Sequence, residues 1–284
     1  MRGIFFLVLS LLAALAQAAA GELKLATWNL DWLTMRDAGD PAIPANVAMK
    51  RPEDIAALRT YAARLNADVI AIEEVDGAAA AAEIFPPEHY AIYMTGDQVV
   101  QRVGFAVRRD LHVTPHPDLT ALDPYPPTAP AQLRSGADIT LDLPAAPLRL
   151  LAVHLKAGCR RDGFAASQRP ACRVLGEQFA VLRSWIASRA HAGEAFAVLG
   201  DFNRPVHDDD AFAAPLAEPT ADHASPCRHG GEPFIDRIML GGAARAWLVP
   251  ESLRVLVYHD GDDSTRRLSD HCPVSVRLAI GAAP

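Results

Sequence analysis

An α/β fold is what this 284-residue sequence predicts, on three observations. Apolar runs of strand length are interspersed with two longer segments whose apolar residues recur at helical spacing. Half of the residues are hydrophobic and 21% are charged, which is the composition of an ordinary folded globule. Most of the apolar runs also stop at a small group of Asp, Glu, Asn or His, as though several buried strands ended at one polar edge.

Taken from the N-terminus, Arg2 precedes the apolar run Ile4 to Leu15 and then the small-x-small group Ala16-Gln17-Ala18. That layout predicts a secretory signal peptide over residues 1–20, cleaved after Ala18 or Ala20. Its apolar core is shorter than the roughly 20 residues of a membrane span, so no stable membrane anchor is expected. Residues 21–284 are then one mature domain, periplasmic or secreted, and a monomer by default. Buried strands are predicted at Leu23 to Trp28, Val69 to Ile72, Val103 to Val107, Leu148 to Leu155, Ala195 to Leu199 and Val274 to Ala279. Helices are predicted at Pro52 to Leu65, with Ile55, Leu58, Ala62 and Leu65 on one face, and at Ser167 to Ala190, with Leu175, Phe179, Leu182, Trp185 and Ile186 on another. The proline-rich stretches 44–52 and 115–130 read as surface excursions.

Export places Cys159, Cys172, Cys227 and Cys272 in an oxidising compartment, where an even set predicts disulfides. Of the three pairings, Cys159 with Cys172 and Cys227 with Cys272 are expected. Zinc is disfavoured because no C-x2-C spacing is present. The net charge of −7 argues against broad, sequence-independent duplex binding. A local basic patch of Arg160, Arg161, Arg169 and Arg173 is the exception to weigh against it.

The strand ends carry the chemistry. Asn29, Glu74, Asp201 and Asp270 offer oxygen donors suited to Mg2+ or Mn2+. His154 and His271 beside such an ion suggest hydrolysis of a phosphate ester, with Asn203 as a neutral donor to a phosphate oxygen.

The segments "ATWNLDWL" (26–33), "DVIAIEEV" (68–75), "QRVGFAVRR" (101–109), "LAVHLKAGC" (151–159), "VLGDFNRP" (198–205), "FIDRIML" (234–240) and "LSDHCPVSV" (268–276) occur in a telling order. On them the chain resembles the endonuclease/exonuclease/phosphatase superfamily, in an exported bacterial branch. The resemblance implies a four-layer α/β/β/α sandwich, two mostly antiparallel sheets with outer helices. It implies that Asn29, Glu74 and Asp270 bind the metal and that His154 contacts the scissile phosphate. Asp201 and Asn203 would align the nucleophilic water, and Asp236 would orient the catalytic His271. Arg102 is a candidate phosphate contact, with a surface ion pair as its alternative. Glu73 stands where the family usually has Gln, either adding charge to the metal site or facing elsewhere. The implied activity is one-metal, in-line phosphodiester hydrolysis by an exported nuclease. A phosphatase or phosphodiesterase for small or lipid phosphoesters is the alternative, and a non-catalytic binding protein is a third reading.

Overall fold

The computed structural model describes residues 21–129, 131–164, 167–205, 216–221, 223–227, 231–259 and 268–281. The expected signal peptide therefore lies outside the described residues. In chain order the elements are β1 (Glu22–Leu33), α1 (Pro52–Leu65), β2 (Val69–Val75), α2 (Gly77–Ile84), β3 (Tyr90–Met94), β4 (Arg102–Arg108) and β5 (Val113–Pro115). There follow β6 (Ala137–Leu141), β7 (Leu148–His154), α3 (Pro170–His191), β8 (Ala195–Asp201), β9 (Asp236–Gly241), α4 (Ala244–Trp247), β10 (Arg254–Val255) and β11 (Val274–Ala279).

The strands form a six-stranded sheet in the order β10-β11-β1-β2-β4-β3 and a five-stranded sheet in the order β5-β6-β7-β8-β9. Seven of the nine strand pairings are antiparallel; the parallel ones are β1 with β2 and β7 with β8. Each parallel pair is joined through a helix, α1 in one sheet and α3 in the other, as parallel connections require.

Side-chain alternation explains the layers. Leu23, Leu25, Val69 and Ala71 of one sheet meet Leu148, Leu150, Ala197 and Leu199 of the other in a central core. The opposite parity of β1 and β2, with Ala26, Trp28, Ile70 and Ile72, packs on Ile55, Leu58 and Leu65 of α1 and Ala80 and Ala81 of α2. On the far side Leu151, Val153 and Val198 pack on Leu175, Phe179 and Leu182 of α3. The result is the α/β/β/α sandwich.

Helix α1 matches its predicted range because its ends are signalled locally. Pro52 opens it, Asp54 accepts the backbone N–H of Arg51 at 2.9 Å, and Asn66 closes it in the left-handed region at φ 42°. Helix α3 starts at Pro170, three residues later than predicted, and β7 stops at His154 rather than Leu155. Strand β1 runs past Asn29, where a stop is expected, to Leu33 through a bulge with Asp31 and Trp32 at positive φ.

Both expected disulfides are formed, Cys159 with Cys172 and Cys227 with Cys272. The expected arginine patch is neutralised by its own carboxylates. Arg160 and Arg161 share Glu232 at 2.6 and 2.8 Å, Arg169 meets Asp162 at 3.4 Å, and Arg173 meets Glu177 one helical turn on at 2.8 Å. Among the described residues no helix is long and apolar enough to cross a membrane.

Candidate active site

The site is the polar end of the inter-sheet core. Along β7 the inward parity reads Leu148, Leu150, Ala152 and then His154; along β8 it reads Ala195, Ala197, Leu199 and then Asp201. Strand β9 runs the other way and contributes Asp236 beside Asp201. From the facing sheet, β1 reads Leu23, Leu25, Thr27, Asn29 and β2 reads Val69, Ala71, Glu73. Two apolar sheets thus hold their last inward residues in register, and those residues are polar.

Gly200 makes the approach possible. Its φ is 136°, and a Cβ there would lie 1.9 Å from the Val153 carbonyl oxygen of the neighbouring strand. Asn203 follows in the left-handed region at φ 54°, with its N–H donating to Asp201 Oδ1 at 2.7 Å.

Glu74 sits at the β2 bulge with φ 58°. Its carboxylate accepts from Asn29 Nδ2 at 3.1 Å, the Trp32 N–H at 3.2 Å and Gln101 Nε2 at 2.5 Å. Asn29 Nδ2 also reaches Asp201 Oδ2 at 3.1 Å, so one amide spans the two sheets. His154 Nε2 stands 3.6 Å from Glu74 and 3.5 Å from Asp201. His271 donates through Nδ1 to Asp236 at 2.8 Å, which turns Nε2 toward Asp201 and Asp270, each 3.7 Å away.

The Ser269–His271 segment is fixed from β1. Trp28 Nε1 donates to the Tyr258 hydroxyl, which donates to the His271 carbonyl, each at 2.8 Å. Ser269 Oγ donates to the Asn29 carbonyl at 2.8 Å and accepts the His271 N–H at 3.0 Å. The "WN" and "SDH" motifs are thus two halves of one hydrogen-bonded unit.

Charge is unevenly distributed. Burial raises the Asp201 carboxyl to about 6; His271 opposes this and Asp236 adds to it. Burial works against a charged His271, but Asp236 and Asp201 outweigh it and lift the imidazolium to about 10. Glu73 faces the inter-sheet core, accepts from Thr27 at 2.9 Å, and is pushed well up by burial and then by Asp236. Burial thus works against a charge on Glu73, and its side chain is held by Thr27 inside the core.

These shifts set a pH dependence for metal-free protein. A raised His271 contributes stability that is complete below its unfolded value of 6.5 and is lost as pH rises through about 10. In EDTA the thermal midpoint therefore falls between pH 7 and 10, and His271→Asn flattens that slope. A wild-type midpoint that does not move over this range contradicts the assignment.

Arg102 lies on the other face. Residues 103, 105 and 107 of β4 point into the inter-sheet core, so Arg102 points toward α2, where it meets Asp76 at 3.7 Å and the Val99 carbonyl at 3.2 Å. The ion pair, its alternative reading, is what the structure contains. The cleft is instead lined by Gln101, which has the inward parity, and by Arg134 and Lys156, all unforeseen from the sequence.

Oxygen donors that remain available for a cation make a metal site credible here. Glu74 accepts hydrogen bonds from neutral amides, His154 Nε2 lies 3.6 Å from it, and among the described residues no lysine or arginine forms an ion pair with it. Asn29, from β1, is hydrogen-bonded to it, and Asp270, from the segment before β11, stands 3.7 Å from His271 Nε2. Such a hard, all-oxygen set suits a divalent ion such as those bound by one or two carboxylates.

The endonuclease/exonuclease/phosphatase family model matches residues 26–271. The chain belongs to that family. Its members are metal-dependent phosphoester hydrolases, and this family member is an enzyme of the same class. No curated protein sequence is matched. Among solved structures, truncated TDP2 from Caenorhabditis elegans superposes with a TM-score of 0.62 at 14% identity, covering 91% of this chain and 98% of that one. TDP2 from D. rerio in complex with a single-strand DNA product gives 0.61 at 15%, covering 90% and 98%. The 3′ phosphatase NExo from Neisseria, bound to a product DNA hairpin, gives 0.57 at 16%, covering 90% and 99%. At these identities the likeness is one of fold.

Proposed function

We propose that this enzyme is an exported nuclease that hydrolyses phosphodiesters by in-line attack of water with Mg2+ or Mn2+. The observation that carries the reading is the meeting of Asn29 and Glu74 from one sheet with His154, Asp201 and the Asp236–His271 pair from the other, within hydrogen-bonding reach or close to it. The DNA bound to the D. rerio and Neisseria proteins supports nucleic acid as the substrate. The sequence pattern of residues 1–20 and the two disulfides support export.

Glu74, Asn29 and Asp270 would hold the ion, which would supply positive charge against the negative charge that develops on the phosphate. Asp201 and His271 jointly align and activate the water. Asp201, raised to about 6, is mostly ionised yet still basic enough near neutral pH to accept its proton. Asp236 keeps His271 oriented and charged. His154 and Asn203 donate to the phosphate oxygens, where fixed donors count most as negative charge develops.

A second reading, hydrolysis of small or lipid phosphoesters, is favoured by the acidic net charge and by the self-neutralised arginine patch. Purified protein incubated with Mg2+ or Mn2+ and plasmid, single-stranded DNA, RNA and small phosphoesters separates the two. Metal-dependent cleavage of nucleic acid, abolished by EDTA and by His271→Ala, is the expected result. Intact nucleic acid beside released phosphate or head group moves the enzyme to the second reading.

A further inference from the structure

Resting on the nuclease reading, we propose that Lys156 determines substrate preference by binding a second phosphate, one that flanks the scissile phosphate in the same molecule. The cleft at the sheet edge has a volume of about 240 Å³ and is lined by His154, Asp201 and Asn203 on the reacting side, with Arg134 and Lys156 beside them. The two cations are not equivalent. Arg134 is answered by the site itself: Glu74 and Asp201 both act on its charge, and its Nε is buried with no hydrogen-bond partner among the described residues. It is placed to serve the reacting phosphate.

Lys156 has no such counterpart. Burial depresses its ammonium, and the charge acting on it is the repulsion of Arg134. Among the described residues no carboxylate forms an ion pair with it, which leaves its ammonium to meet an anion that enters the cleft. A single diester phosphate brings one negative charge, already met by Arg134 and the metal. A second phosphate alongside would answer Lys156 and relieve its repulsion with Arg134.

The backbone around Lys156 is built to hold it. Its N–H donates to Oε1 of the buried Gln178 on α3 at 2.8 Å, and Gln178 Nε2 in turn donates to the Leu122 carbonyl at 2.8 Å. Three residues on, the Cys159–Cys172 disulfide joins the same loop to α3. Ala157 and Gly158 follow Lys156 with no bulky side chain to fill the cleft. Such anchoring of a lysine at the mouth of a cleft reduces the entropy lost when it engages an anion.

The test compares kcat/KM for three substrates with Mg2+: a dinucleoside monophosphate, the same molecule carrying a terminal phosphate, and a trinucleoside diphosphate. Wild-type enzyme is expected to favour at least one two-phosphate substrate by about tenfold or more, chiefly through KM. Whichever is favoured shows whether the second phosphate is terminal or internucleotide. Lys156→Met brings that ratio close to one, and Lys156→Arg restores it. A Lys156→Met enzyme that keeps the wild-type ratio overturns the inference, whether its activity falls equally on all three substrates or does not fall. Absence of cleavage of all three by wild-type enzyme is a different failure, because it removes the nuclease reading itself.

Discussion

Asp201→Asn lowers kcat by about three to four orders of magnitude, the range lost with a positioned general base, while the protein stays folded. Stability is spared because of where this carboxylate sits. Its folded value of about 6 lies above the ordinary 3.8, so its ionised form is disfavoured by folding at every pH above 3.8, and fully so above about 6. An amide removes that penalty. It also removes the attraction between Asp201 and His271 and sets an NH2 against Asn29 Nδ2, which now donates to Asp201 at 3.1 Å. These changes have opposite signs, and the net effect on the thermal midpoint at pH 8 is expected to be a few degrees at most. A group that folding disfavours and catalysis requires is the usual trade between stability and function. Circular dichroism and a steady-state assay on the same preparation decide it. A folded variant with activity within tenfold of wild type removes Asp201 from the mechanism.

The residues legible in the sequence are those whose role is declared by strand parity and local spacing. His154 and Asp201 continue the alternation of β7 and β8 by one inward step beyond the last apolar residue, and the two-residue step from Asp201 to Asn203 marks the turn. Helix α1 is legible for the same local reason, since its proline, its acidic first turn and its apolar face agree. Helix α2, "GAAAAAEI", is not, because a run of alanines has no polar face for periodicity to detect. The short edge strands β3, β5 and β10 are partly exposed and carry too little apolar pattern to stand out.

In the site, the misplaced residue is instructive. Gln101 and Arg102 are neighbours in sequence on opposite faces of the sheet, and a charge-based choice selects Arg102 where the register selects Gln101. Arg134 and Tyr258 come from segments whose meeting with the site is set by tertiary packing, and no local spacing announces it; Lys156 lies two residues after His154, in the same motif, but nothing in the spacing says that it lines the cleft. Glu73 is the clearest case of a residue whose chemistry depends on its surroundings. Its position on β2 predicts only its face; the upward push on its carboxyl comes from full burial and then from Asp236.

The paired replacement Cys227→Ser with Cys272→Ser is expected to remove about 4 kcal/mol of stability, from the loop-closure entropy of a 45-residue crosslink. In a protein of this size that is a fall of roughly 10 °C in thermal midpoint. The consequence reaches the active site because Cys272 follows His271 directly, and Cys227 belongs to the segment that leads to Asp236. The bond therefore joins the two chain segments that carry the hydrogen-bonded His271–Asp236 pair. With the bond gone, the pair relies on the Ser269 and Tyr258 hydrogen bonds for its alignment, and kcat is expected to fall with little change in KM. The corresponding change at Cys159 and Cys172 is the comparison for a loss of stability away from the His271–Asp236 pair. Its 13-residue loop predicts a loss of about 3 kcal/mol, and it lies on the Lys156 side of the cleft, where KM is the parameter expected to move. If the Cys227 and Cys272 variant melts within about 2 °C of wild type, this bond does not hold the C-terminal segment in place. If kcat is also unchanged, alignment of His271 rests on β1 and Tyr258 alone.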